Sequence, residues 1–196
     1  MTWLSKNIAT QGALDAFNID IPSGPEGDSV HDYLEQVSGE HISNIITLTG
    51  TGATSVNIFQ LTGTVEILQL HGAVLTADTL TDMTAVHWEL FADAAAVDIT
   101  KNDGDLSAMA VGTFFAKTGA ASVTMGINDN VAAAMIEPAA GPKAFAPFII
   151  TQMTGTATYL RLTYTTTDDP IVATLGMSVR YKPHTAAGVK GTLTAV

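Results

Sequence analysis

From Ser43 onward the chain breaks into short runs in which apolar and polar positions alternate. Leu160, Leu162 and Tyr164 fall on one side of such a run, and Tyr159, Arg161 and Thr163 on the other. Met177, Val179 and Tyr181 oppose Arg180 and Lys182 in the same way, and Val86, Trp88 and Leu90 oppose His87 and Glu89. A period of two places successive side chains on opposite faces of a strand, one packed and one wet, which is the pattern of an antiparallel sheet. Candidate strands on this basis are 43–49, 55–61, 64–71, 85–91, 109–117, 122–127, 145–153, 158–164 and 171–181. They are rich in Val, Ile, Thr and aromatic residues and are punctuated by Gly, Asn, Asp and Pro. About nine such runs with no long helical pattern between them predict an all-β protein, an antiparallel β-sandwich of jelly-roll-like form.

Residues 1–40 follow a different pattern. Pro22-Ser-Gly-Pro-Glu-Gly27 is a turn or linker signal. Ser29-Val30-His31-Asp32 then resembles a capping box, and Val30, Tyr33, Leu34 and Val37 recur at helical spacing up to Gly39. The expectation is an N-terminal arm (1–40) with one short helix, followed by a sandwich domain (41–196). The stretch 185–196 reads as a second reaching segment or a frayed tail. Thr-Gly-Thr recurs at 49–51, 62–64 and 154–156. The spacing is too irregular for a solenoid and reads as repeated turn chemistry.

Composition narrows the function classes. The 196 residues include 28 Thr and 28 Ala, only 14% charged residues and no cysteine, which removes disulfide scaffolds and thiolate metal sites. The formal charge of −11 opposes capture of nucleic acid. Seven of the 19 acids lie in residues 1–40 against one base, Lys6. No stretch is apolar enough to span a membrane, and Met1–Lys6 lacks a signal-peptide pattern, so a chain made in the cytoplasm is expected.

Catalytic and metal constellations are weak. Gly27-Asp-Ser-Val30 resembles the opening motif of a serine esterase family, but Ser29 follows a Pro-Gly linker and serves better as a helix cap. His31, His41, His71, His87 and His184 show no zinc-binding spacing; His71 and His87 have a possible approach across strands, and surface positions are the plainer expectation. The run Asp98–Asp105 imitates a calcium loop with its glycine one place late and Met109 at the twelfth position, so a solvated turn is expected. Glu66, Glu89 and Glu137 are the glutamates of the β-rich part, and nothing in the sequence singles one out. The reading is therefore a non-enzyme with no cofactor and no metal. Trp88 alternates with apolar neighbours and is assigned to the core. Trp3 sits in a polar arm, where it either packs back on its own domain or fills a partner's pocket.

Two regions carry a resemblance. They are Gly63-Thr-Val-Glu-Ile-Leu-Gln-Leu-His-Gly72, continuing to Thr76, and Pro147–Tyr164 followed by Met177-Ser-Val-Arg-Tyr-Lys-Pro183. Over roughly residues 55–190 the chain resembles β-sandwich modules of virion structural proteins from tailed bacteriophages. The resemblance implies a capsid decoration (cement) protein on the virion surface, with the major capsid protein or other virion subunits as partners and no catalytic residues. A homo-oligomer, with a trimer favoured, is expected, and no nucleic acid or membrane partner. The expected interface residues are Trp3, Leu4, Phe17, Ile19 and Ile21 of the arm. The alternative is a carbohydrate-binding adhesion module of a phage tail or cell-surface protein. It ranks lower because most of the 13 aromatic residues fit core positions.

Overall fold

The computed structural model describes residues 39–77, 81–120, 122–128, 147–167, 172–186 and 188–196. They form twelve strands and no helix. In chain order these are β1 (Glu40–Leu48), β2 (Gly52–Thr62), β3 (Thr64–Ala77), β4 (Met83–Ala92), β5 (Ala95–Asp98), β6 (Phe114–Ala116), β7 (Gly126–Asn128), β8 (Phe148–Thr151), β9 (Thr158–Thr166), β10 (Ala173–Ala186), β11 (Val189–Lys190) and β12 (Thr192–Ala195). The arm helix expected over Val30–Val37 lies outside the described residues.

All pairings are antiparallel and fall into two sheets. The first runs β1-β10-β3-β6-β7, with β8 on β3 and β11 on β10. The second runs β12-β2-β9-β4-β5. The predicted alternation becomes burial directly. Along β9 the side chains alternate between buried and half-buried through all nine positions, because Leu160, Leu162 and Tyr164 face the other sheet. From the first sheet Leu48, Val65, Ile67, Leu70, Leu175 and Val179 meet them, all fully buried. Trp88 of β4 stacks on Phe115 of β6 at 5.6 Å between centroids, joining the two sheets at the centre of the core.

The three Thr-Gly-Thr repeats have one structural role. Each sits where the chain leaves one sheet for the other: between β1 and β2, β2 and β3, and β8 and β9. Gly50, Gly63 and Gly155 have φ of 86°, 67° and 75°, a left-handed backbone that glycine adopts without a Cβ penalty. The first crossing is pinned from the core, where the Tyr164 hydroxyl donates to the Thr49 carbonyl at 2.8 Å. The second sheet carries a bulge at Ile58 in β2. The freed Ile58 carbonyl accepts from the Asn44 side-chain amide of β1 (2.9 Å) and from the Val196 N–H (3.3 Å), which ties the two sheets along one edge.

Three local expectations need correction. The stretch 185–196 is neither a frayed tail nor a reaching segment: β12 pairs with residues 59–62 of β2 and buries Leu193. The β2 edge supplies a hydrogen-bonding partner that the sequence of β12 does not announce. The run 109–117 is a strand only over Phe114–Ala116, since Gly112 and Thr113 exchange backbone hydrogen bonds with Val74 at a turn. Finally, β5 was not predicted. It returns on β4 through Asp93 and Ala94, both at positive φ (48° and 62°), in a turn without the usual glycine.

Candidate functional site

The expected interface residues Trp3, Leu4, Phe17, Ile19 and Ile21, and also Ser29 and His31, lie outside the described residues. Trp88 is fully buried, as assigned. His71 and His87 do not approach across strands, because β3 and β4 belong to different sheets. His71 lies in register with Ser178, whose hydroxyl is 3.1 Å from His41 Nε2. Its ring is tilted against Phe114 at 5.1 Å. Burial holds its pKa below the ordinary histidine value, and the nearby His41 adds to the effect.

The polar residues that stand out lie on the outer face of the second sheet. His87 and Glu89 share a face of β4, two residues apart. Antiparallel pairing sets Thr163 and Arg161 of β9 beside them and Asp98 of β5 opposite Glu89. The sequence assigns His87 and Glu89 to the wet face, yet both are buried, at 5% and 4% exposure. Their neighbours cover them. Arg161 lies with its guanidinium carbon 3.7 Å from the centroid of the Phe91 ring and donates from Nε to Glu89 Oε1. The Thr163 hydroxyl donates to the same oxygen and is itself 2.9 Å from the Ser55 hydroxyl. One carboxylate oxygen is thus engaged twice, which fixes the carboxylate plane and leaves Oε2 facing His87.

A backbone irregularity orients the imidazole. The β4–β9 register slips between Thr84 and His87, and Ala85 sits at φ 53°. Within the slip Val86 turns away to exchange backbone hydrogen bonds with Gly104. The Ala85 carbonyl is 2.8 Å from His87 Nδ1. A carbonyl only accepts, so Nδ1 carries the proton and, in the neutral ring, Nε2 presents its lone pair. Nε2 stands 3.7 Å from Asp98 Oδ1 and 3.9 Å from Glu89 Oε2. Strain of this kind concentrates where a side chain must be aimed.

The Asp98–Asp105 run holds no calcium-type array among the described residues. Asp98 belongs to β5, the Asp105 carboxylate caps the Ser107 N–H at 2.8 Å, and Asp103 accepts from Thr124 at 2.6 Å. Elsewhere, Lys117 is buried with its ammonium donating to the Gly119 carbonyl, and burial lowers its pKa. Tyr181 donates to Glu40 and is pushed up to about 12, first by burial and then by that bond.

The sequence reading missed Glu89 and Asp98 as partners of His87. One signal was available: His-x-Glu in a strand puts both side chains on one face. The third member depended on β5, and so on the unannounced Asp93-Ala94 turn. No family model matches the chain, and no curated protein or solved structure matches it either.

Proposed function

We propose that the chain is a structural component of a phage particle, a capsid decoration protein that binds the coat lattice and cements neighbouring subunits. The observation that carries the reading is the make-up of the outer faces. Cross-strand hydroxyl pairs recur on them: Ser55 with Thr163 (2.9 Å), Thr64 with Thr151 (3.2 Å) and Thr76 with Thr174 (2.9 Å). Short side chains already held by one another lose little rotamer freedom when a face is covered, and that ordering is a main cost of association. On the first sheet Ile45 is 69% exposed, and over its cross-strand partner Gly176 packs Leu75, also exposed, which adds an apolar element to the same face.

The strand order supports a finer reading of the fold. The row β1-β10-β3-β8 set against β2-β9-β4-β5 is the order of a jelly roll, a scaffold used by viral capsid and lectin domains. A scaffold assigns no activity by itself, so the weight stays on the faces and on the resemblance. In this reading the acidic segment 1–40, with its short helix over Val30–Val37, docks on the coat through Trp3, Leu4, Phe17, Ile19 and Ile21, and the chain works as a homo-oligomer, a trimer. The test is co-sedimentation of the full chain and of a variant lacking residues 1–38 with capsids assembled without it. The full chain pellets with the capsids, less so as salt is raised, because the segment is acidic. Equal pelleting of the truncated variant removes the segment from the mechanism.

A further inference from the structure

We propose that His87, Glu89 and Asp98 bind a first-row divalent cation of the zinc class on the outer face of the second sheet. This inference does not rest on the particle reading.

The first support is convergence. One ligand atom from each residue lies within 4.8 Å of the other two. Zinc binds imidazole nitrogen at about 2.0–2.1 Å and carboxylate oxygen at about 2.0–2.2 Å, which sets two ligands on one tetrahedral ion roughly 3.4 Å apart. The Nε2 distances of 3.7 and 3.9 Å are within a few tenths of that spacing and too long for hydrogen bonds.

The second support is the imidazole itself. His87 is 5% exposed, and its Nε2 faces the Glu89 and Asp98 carboxylates at distances too long for a hydrogen bond, which leaves its lone pair available to an ion placed between them. Its other nitrogen is held by the Ala85 carbonyl, one of the contacts that orient metal-bound histidines and fix their tautomer. Arg161 and Thr163 hold Glu89 in the same supporting way from the far oxygen.

The ligand types choose the cation. One imidazole with two carboxylates suits zinc and its first-row neighbours, whereas calcium and magnesium favour all-oxygen shells. Two carboxylates against the Arg161 guanidinium leave one net negative charge to meet the ion. The Asp98 side chain is 54% exposed, so the fourth position opens to solvent, where water or a side chain of a neighbouring molecule completes the shell.

The experiment uses tag-free, chelator-stripped full chain titrated with Zn2+ against a chromophoric competitor, and with Co2+ by visible absorption. The expected result is one ion per chain with Kd at or below about 10 μM, or about −7 kcal/mol. Asp98→Asn, a change at a half-exposed side chain, weakens binding at least tenfold and abolishes the cobalt absorption. His41→Gln, on the other sheet, leaves both unchanged. His87→Gln, if it folds, behaves as Asp98→Asn does. Binding by Asp98→Asn equal to the parent, loss of binding in His41→Gln, or displacement of zinc by equimolar calcium overturns the assignment.

Discussion

Arg161→Ala is the most informative single perturbation of the buried cluster. In the folded chain Glu89 is almost fully covered, and its Oε1 accepts from both Arg161 and Thr163. Truncating Arg161 leaves a carboxylate without a counterion in a covered position. Removing one member of a buried pair costs about 3–5 kcal/mol, because the remaining charge keeps its desolvation penalty. Arg161 is itself 17% exposed, so water partly refills its place, and the lower end of that range applies. Loss of the guanidinium from the Phe91 face adds about 0.5–1 kcal/mol. The net expectation is about 3–4 kcal/mol. For a chain of this length each kcal/mol lowers Tm by roughly 2–4 °C, so the melting point falls by roughly 6–16 °C. The assay is equilibrium urea unfolding followed by far-UV circular dichroism, in chelator so that cation binding adds nothing to the parent's stability. The double variant Glu89→Leu/Arg161→Leu separates charge from packing. It removes both charges and should return to within about 1 kcal/mol of the parent. A loss below about 1 kcal/mol in Arg161→Ala, or a double variant no better than the single one, would refute the claim that a covered charge is being held.

Other consequences follow from the same geometry. A Cβ on Gly72 would overlap the Phe115 ring and stand 2.8 Å from Met177 Sδ, and Phe115 is backed by Trp88, so Gly72→Ala should cost about 1–3 kcal/mol in urea unfolding and be relieved by adding Phe115→Leu. Tyr164→Phe leaves the Thr49 carbonyl without its core donor and should lower stability by about 1 kcal/mol, with the loss seen as faster amide exchange around the β1–β2 crossing. His71 has a folded pKa below its ordinary 6.5, so the unfolded chain binds more protons below that pH. Its contribution is complete above pH 6.5 and is lost as pH falls through the folded value, and His71→Gln should flatten that part of the stability profile. Tyr181 runs the opposite way: its raised pKa gives stability that is complete below pH 10 and is lost as pH rises through about 12, to be read by absorbance titration at alkaline pH.

The parts of the fold legible in sequence were those where one strand carries its own pattern. β9, β10 and the core half of β4 are clean alternations, and their buried faces are the ones the pattern names. The parts that failed depend on a neighbour. β12 is a strand because the β2 edge is there to receive it, and β5 because two non-glycine residues accept a left-handed turn. The same limit governs the polar cluster. Alternation puts His87 and Glu89 outward, and they do point outward. Their burial comes from Arg161, Phe91 and Asp98, which only the pairing of β9, β4 and β5 brings alongside. The bulge at Ala85 that aims the imidazole leaves no mark in an Ala-Val-His sequence.

The central claim, that this chain is a structural part of a phage particle, is tested most directly by asking where the chain resides. Particles from a lysate of the host that encodes it are banded on a density gradient, and the fractions are probed with antibody raised against the purified chain. The account predicts that the chain bands with the particles at a fixed ratio to the coat protein and falls away when the gradient is run at high salt. Recovery of the chain only in the soluble fractions, at every salt concentration, would contradict it.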